Sequence, residues 1–186
     1  MKIAVTGKIG SGKSMVMKTL KSLGAYTVIA DEINKRLLVD KAYLSMLKKH
    51  FPECFNLDVF DKKMLSRIVF SDPQKRKLLD EIAHPEIYRI IKEHTTGKDL
   101  AFVEVPILTK ERAKEFDLVV LVKSQDDERK RRVKKRDNRS DEEIEGIFLA
   151  QKDIDEKSYQ NVLVIENDTS EQELAKKVKL LYEKLV

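Results

Sequence analysis

The stretch Gly7-Lys8-Ile9-Gly10-Ser11-Gly12-Lys13-Ser14 decides the fold, because it fits G-x-x-x-x-G-K-[ST] at every fixed position. Before it, Lys2–Thr6 reads as a short buried strand, and after it a helical pattern runs from Lys13 to about Leu23. Strand, loop and helix in that order are the context in which this motif binds phosphate. The glycines let the backbone turn so that its N–H groups surround an anion, and the helix N-terminus adds positive potential. Read this way, Gly7, Ile9, Gly10, Ser11, Gly12, Lys13, Ser14 and Met15 surround the phosphates of a nucleoside triphosphate. Lys13 reaches the β- and γ-phosphates, and the Ser14 hydroxyl coordinates Mg2+.

Working outward, Gly24 falls just past the helix end. Tyr26–Ala30 reads as a second strand. From Asp31 to about Thr95 only helical periodicity is visible, with breaks expected at Pro52, Pro73 and Pro85. Pro85, after His84, suits the first turn of a helix running to about His94. Strand signals return at Leu100–Val105, Leu118–Val122 and Val162–Ile165. Between the last two lies a basic helical stretch from about Asp126, then Ser140-Asp-Glu-Glu143, which looks like a capping box. Glu171–Leu185 is amphipathic, with Leu174, Val178, Leu181 and Leu185 at helical spacing. Apolar strands alternating with helices predict an α/β fold, a five-stranded parallel sheet with helices on both faces. With its loop, this is the P-loop nucleoside triphosphate hydrolase fold. The expected division is a core of about 1–32, 97–125 and 152–186, a helical insertion of about 33–96 and a helical lid of about 126–151.

Composition narrows the class. The 186 residues suit one domain with a modest insertion, and 41% hydrophobic content argues against global disorder. The longest apolar run, Leu118–Val122, is far short of the roughly 20 residues of a membrane span. The N-terminal apolar stretch is too short for a signal peptide, so a cytoplasmic protein is expected. One cysteine, Cys54, excludes an internal disulfide. A net charge of +5 suits a polyanionic ligand. The guanine-reading Asn-Lys-x-Asp of GTPases and the Ser-Gly-Gly signature of ABC-type ATPases are both missing. A short P-loop chain with a helical insertion and a basic lid suggests a small-molecule kinase. Glu104 ends a buried strand, facing the crevice where such folds hold ligands, and so could hold the metal's water shell or a substrate group, although a strand-terminal acid can also be an ordinary one.

Several further segments occur in a specific order: Ala30-Asp31-Glu32-Ile33, Asp61 to Leu65 with Val69-Phe70, His84-Pro85, Val105-Pro106-Ile107-Leu108, Arg132-Val-Lys-Lys-Arg136, and Gln151 to Glu166-Asn167-Asp168. Together with Val5 to Ser14 they resemble the dephospho-CoA kinase family over nearly the whole chain. The resemblance implies transfer of the γ-phosphate of ATP to the ribose 3′-hydroxyl of dephospho-CoA, the last step of coenzyme A synthesis. It implies Asp31 as the base near that hydroxyl, with Lys13 and Arg136 assisting transfer. It implies Arg132 and Arg136 as ATP contacts and His84 beside the acceptor, while the strand-end reading makes Glu104 a substrate-binding candidate. Residues alone would make Asp31 a helix N-cap. The chain departs from the family pattern at Ile29, Lys62 and Lys110, and has Glu104 where an aspartate is usual.

The run from Arg129 to Arg139 holds eight basic residues. As a lid it supplies cations to the transferring phosphate. Arg132 and Arg136, at i and i+4, share one helix face, and the other basic residues are expected to face water. Two other readings are testable: a kinase for another acceptor such as a nucleoside or nucleotide, and a nucleic-acid binder using the basic run. The second predicts salt-dependent binding that survives loss of Lys13. The expectation is small-molecule substrates, no nucleic acid, no membrane, and a monomer or small homo-oligomer.

Overall fold

In the computed structural model, which describes residues 1–137 and 140–186, Ile3, Ala4 and Val5 are wholly buried. They lie in β1 (Lys2–Thr6), the middle strand of a five-stranded parallel sheet. The chain forms two units, residues 1–29 with 95–186, and residues 30–94.

In the first unit, β2 (Tyr26–Ile29) pairs with β5 (Ala101–Glu104), and β6 (Leu118–Lys123) pairs with β7 (Val162–Glu166). Strand order is β2-β5-β1-β6-β7. Helices flank this sheet. Val16 and Leu20 of α1 (Lys13–Ser22) and Leu174 and Val178 of α9 (Glu171–Glu183) join Ile3, Val5, Phe102 and Val120 in one core. Branched residues fill the strands because both faces are covered. The same unit holds α6 (Lys110–Ala113), which periodicity does not reveal, and α7 (Asp126–Asp137) and α8 (Asp141–Ala150). Ser140 and Glu143 form the anticipated capping box.

The second unit contains α2 (Ala30–Leu37), α3 (Lys41–His50), α4 (Lys62–Ser71) and most of α5 (Pro73–Thr95). Its helix starts are set locally. The Asp40 carboxylate accepts from the Tyr43 N–H at 2.8 Å, and that of Asp61 from Lys63 and Met64 at 2.8 and 3.0 Å. Two expectations need correction here. A hairpin of β3 (Phe55–Asn56) and β4 (Val59–Phe60) interrupts the helices. Its strands are too short to show alternation, and its turn is built from Leu57 and Asp58 at positive φ rather than from Asn-Gly. Pro85 does not begin a helix but lies inside α5. An interior proline costs about 3 kcal/mol. Burial of Ile87, Tyr88 and Ile91 at about 1.5–3 kcal/mol each outweighs it. No helix among the described residues is long and apolar enough to cross a membrane.

Candidate active site

The P-loop backbone is fixed from outside. Gly12 (φ +102°) and Gly10 (φ +77°) take left-handed conformations and have no room for a side chain. A Cβ on Gly12 would lie 2.2 Å from the Asn167 amide nitrogen, and one on Gly10 would lie 2.7 Å from the Arg129 carbonyl oxygen. Three successive loop carbonyls accept from distant side chains. The Ile9 oxygen accepts from Arg129 Nη1 (3.2 Å), the Gly10 oxygen from Arg132 Nη1 (3.3 Å) and the Ser11 oxygen from Asn167 Nδ2 (2.8 Å).

This arrangement has a direct stereochemical consequence. In a trans peptide the next residue's N–H points opposite to the carbonyl. Holding those oxygens therefore turns the N–H groups of Gly10, Ser11 and Gly12 to the other side. The Ser11 N–H closes on the Lys8 carbonyl at 3.1 Å, whereas those of Gly10 and Gly12 meet no acceptor among the described residues. Open, convergent backbone donors are what an anion requires. Lys13 Nζ donates to the Gly7 and Lys8 carbonyls at 2.8 and 3.3 Å, and so folds back over the loop. Ser14 is exposed in the first turn of α1, and Met15 N–H closes that turn on the Gly12 carbonyl at 3.0 Å. Gln151 Oε1 accepts from the Ile9 N–H at 2.7 Å.

Not every basic residue of α7 faces water. Arg129 is 2% exposed, its Nη2 bonding Asp126 at 2.6 Å and its guanidinium carbon 4.0 Å from the centre of the Phe148 ring. Its hydrogen bond holds the Asp126 carboxyl below the usual range. Arg132 also bonds Glu128 at 2.9 Å and the Asn167 carbonyl at 3.0 Å. Hydrogen bonding by Arg131, with added attraction from Arg131 and Arg132, pulls the Glu128 carboxyl down to about 2. Arg136, one turn on, pairs with Asp137 at 2.6 Å rather than with the loop. Lys130 and Lys134 pair with Glu145 and Asp141 at 2.6 and 2.7 Å. Arg139 lies outside the described residues.

Residue-by-residue reading misses the roles of Arg129, Gln151 and Asn167 in holding the loop. Each bonds a loop residue 120 to 156 positions away, and no local pattern marks such a partner.

At the strand ends, Glu104 is buried and stands in register with Val5 on one side and Ile29 on the other. In the second unit, Asp31 is the second residue of α2 and exposed. Its carboxylate accepts no hydrogen bond from the described residues, so it is not an N-cap. His84 sits inside α5 rather than at a helix start, with Nε2 3.8 Å from Asp80 Oδ1 and its ring edge-on to Tyr88.

A parallel sheet whose first strand delivers this loop to a helix N-terminus, with a basic helix against the loop, defines a P-loop kinase of the small-molecule class. The chain belongs to the dephospho-CoA kinase family, whose sequence profile matches residues 1–173. Dephospho-CoA kinase of Thermus thermophilus is 35% identical over 187 residues, covering 98% of this chain and 91% of that protein. A solved structure from Thermus thermophilus superposes with a TM-score of 0.83 at 33% identity, covering 100% of this chain and 98% of the other. Dephospho-CoA kinase from Campylobacter jejuni gives 0.72 at 26%, again over 100% and 98%. The chain is accordingly a transferase, and an acceptor outside this family is not favoured.

Proposed function

We propose that the protein transfers the γ-phosphate of ATP to the ribose 3′-hydroxyl of dephospho-CoA, with the P-loop as donor site and Asp31 as the base. The observation that carries the donor site is the pair of open N–H groups at Gly10 and Gly12, aimed by carbonyls held from behind. Phosphoryl transfer is mainly positioning and charge stabilisation, which such a cradle supplies with Lys13. Gly7, Ile9, Ser11, Ser14 and Met15 complete the ATP contacts, together with Arg132 and Arg136 of the lid.

Among the described residues no group of three or more His, Cys, Asp or Glu side chains could hold a metal. Mg2+ at such sites keeps several waters and binds through few protein oxygens plus phosphate. Ser14 would hold it, and its charge would offset that of the β- and γ-phosphates. Asp31 accepts the 3′-hydroxyl proton, and a carboxylate with no other hydrogen bond among the described residues is available for that task. His84 and Glu104 contact the acceptor, residues 33–96 hold it and residues 126–151 close over ATP. The setting is the cytoplasm, and the working form is a monomer or small homo-oligomer.

An acceptor panel with ATP, followed by ADP release, tests this reading. Strong turnover with dephospho-CoA and none with nucleosides or nucleoside monophosphates is the expected result. Turnover restricted to another acceptor would overturn it.

A further inference from the structure

We infer that Arg129 is a positioning residue for the nucleotide: it holds the Ile9 peptide of the P-loop in the one orientation that aims the Gly10 N–H at a phosphate. The inference rests on the reading of Gly7–Ser14 as the donor site and assigns to α7 a task other than contact with ATP.

The Ile9 peptides are held at both ends, the N–H by Gln151 at 2.7 Å and the carbonyl by Arg129 at 3.2 Å. Both holders come from the segment 126–151, so the loop tip has little freedom to rotate. Arg129 is itself immobilised. Asp126 takes one of its nitrogens, Phe148 lies 4.0 Å from its guanidinium carbon, and the Gly10 Cα is packed beneath its backbone. Its Nε is buried with no partner among the described residues.

Stability alone does not call for an arginine at this place. A buried charge with an unused donor is often no more stabilising than an apolar side chain of similar volume. What methionine or lysine cannot do is bridge a backbone carbonyl and a carboxylate from one planar, forked group beside a ring. The geometry therefore points to control of the peptide's orientation. Small misplacement of a reacting phosphate can cost about 10²-fold in rate, and a backbone donor turned away from a phosphate weakens its binding as well.

The test uses the full chain with Arg129→Met, Arg129→Lys and Arg129→Ala, and Arg131→Ala as the exposed control on the same helix. ADP affinity is measured by calorimetry without acceptor, and KM is then measured for ATP and for dephospho-CoA. All three Arg129 variants should weaken ADP binding and raise KM for ATP by about 10- to 100-fold, the worth of one hydrogen bond to a charged group. The acceptor KM should stay within about twofold and the control should be unchanged, because the change is confined to the loop. Millimolar methylguanidinium should restore ADP binding to Arg129→Ala. Gln151→Met gives a second route if those variants fold poorly. It should weaken ADP binding in the same selective way, and the double variant should lose less than the product of the single losses, since both residues hold one loop tip.

Lower melting temperatures with unchanged ADP affinity would overturn the inference, as would full activity in Arg129→Lys or equal rises in both KM values. Absence of ADP binding in the unaltered protein would instead remove the donor site itself, and the inference with it.

Discussion

The two units hold their candidate reactive groups in opposite ways. In the first, the P-loop is tied by four side-chain bonds to residues 120 to 156 positions away. In the second, Asp31 has no hydrogen-bond partner among the described residues, and helix starts are fixed by caps two or three residues off. Binding an anion on backbone N–H groups demands a rigid cradle, whereas a base must keep its lone pairs open. The contrast suits the two tasks proposed for them.

The sharpest way to break this contrast is to remove the cation of the tied side. Lys13→Ala should abolish turnover at ordinary ATP levels while the circular dichroism melt remains cooperative. Near-normal activity would remove the P-loop assignment. On the open side, Asp31→Asn keeps size but removes the proton acceptor. General-base catalysis is typically worth 10²–10⁴-fold, so kcat should fall by about that factor with Tm nearly unchanged. A variant retaining more than about a tenth of kcat would make Asp31 a positioning group.

Arg136→Ala tests whether α7 serves chemistry beyond the loop contact. Its kcat should fall more than acceptor binding weakens, as expected of a transition-state contact. If only acceptor affinity changes, the run belongs to the acceptor site instead.

The smallest effect concerns pH. Glu128 is held at about 2 against an ordinary 4.5, chiefly by its hydrogen bond from Arg131. A depressed carboxyl contributes stability that is complete above 4.5 and disappears as pH falls toward 2. Glu128→Gln should therefore lessen the loss of stability between those limits, read from urea midpoints across that range. An unchanged slope would show the pairing to be energetically silent, a common outcome for exposed pairs.

The fold was legible wherever a pattern repeats over a few residues. The five strands, the P-loop and the Ser140 capping box all carry short-range signals, and all five strands pair in one parallel sheet. The β3–β4 hairpin escaped because its strands are two residues each and Leu57-Asp58 is an unusual turn pair. The continuity of α5 through Pro85 escaped because tertiary burial of Ile87, Tyr88 and Ile91, invisible to periodicity, decides it. Within the site, the loop glycines and Lys13 were legible as a motif. The roles of Arg129 and Gln151 were not, since a buried arginine inside a basic run has the composition of a solvated helix face.

The bond from Asn167 to the Ser11 carbonyl also bears on when the loop becomes competent. Ser11 leaves the ribosome early, and its amide partner is added 156 residues later. Contacts of such sequence separation form slowly, because a long stretch of chain must be closed first. A nascent chain stopped short of Asn167 therefore carries the full motif without the brace for its third carbonyl. Such a chain lacks one of the four side-chain bonds that tie the loop.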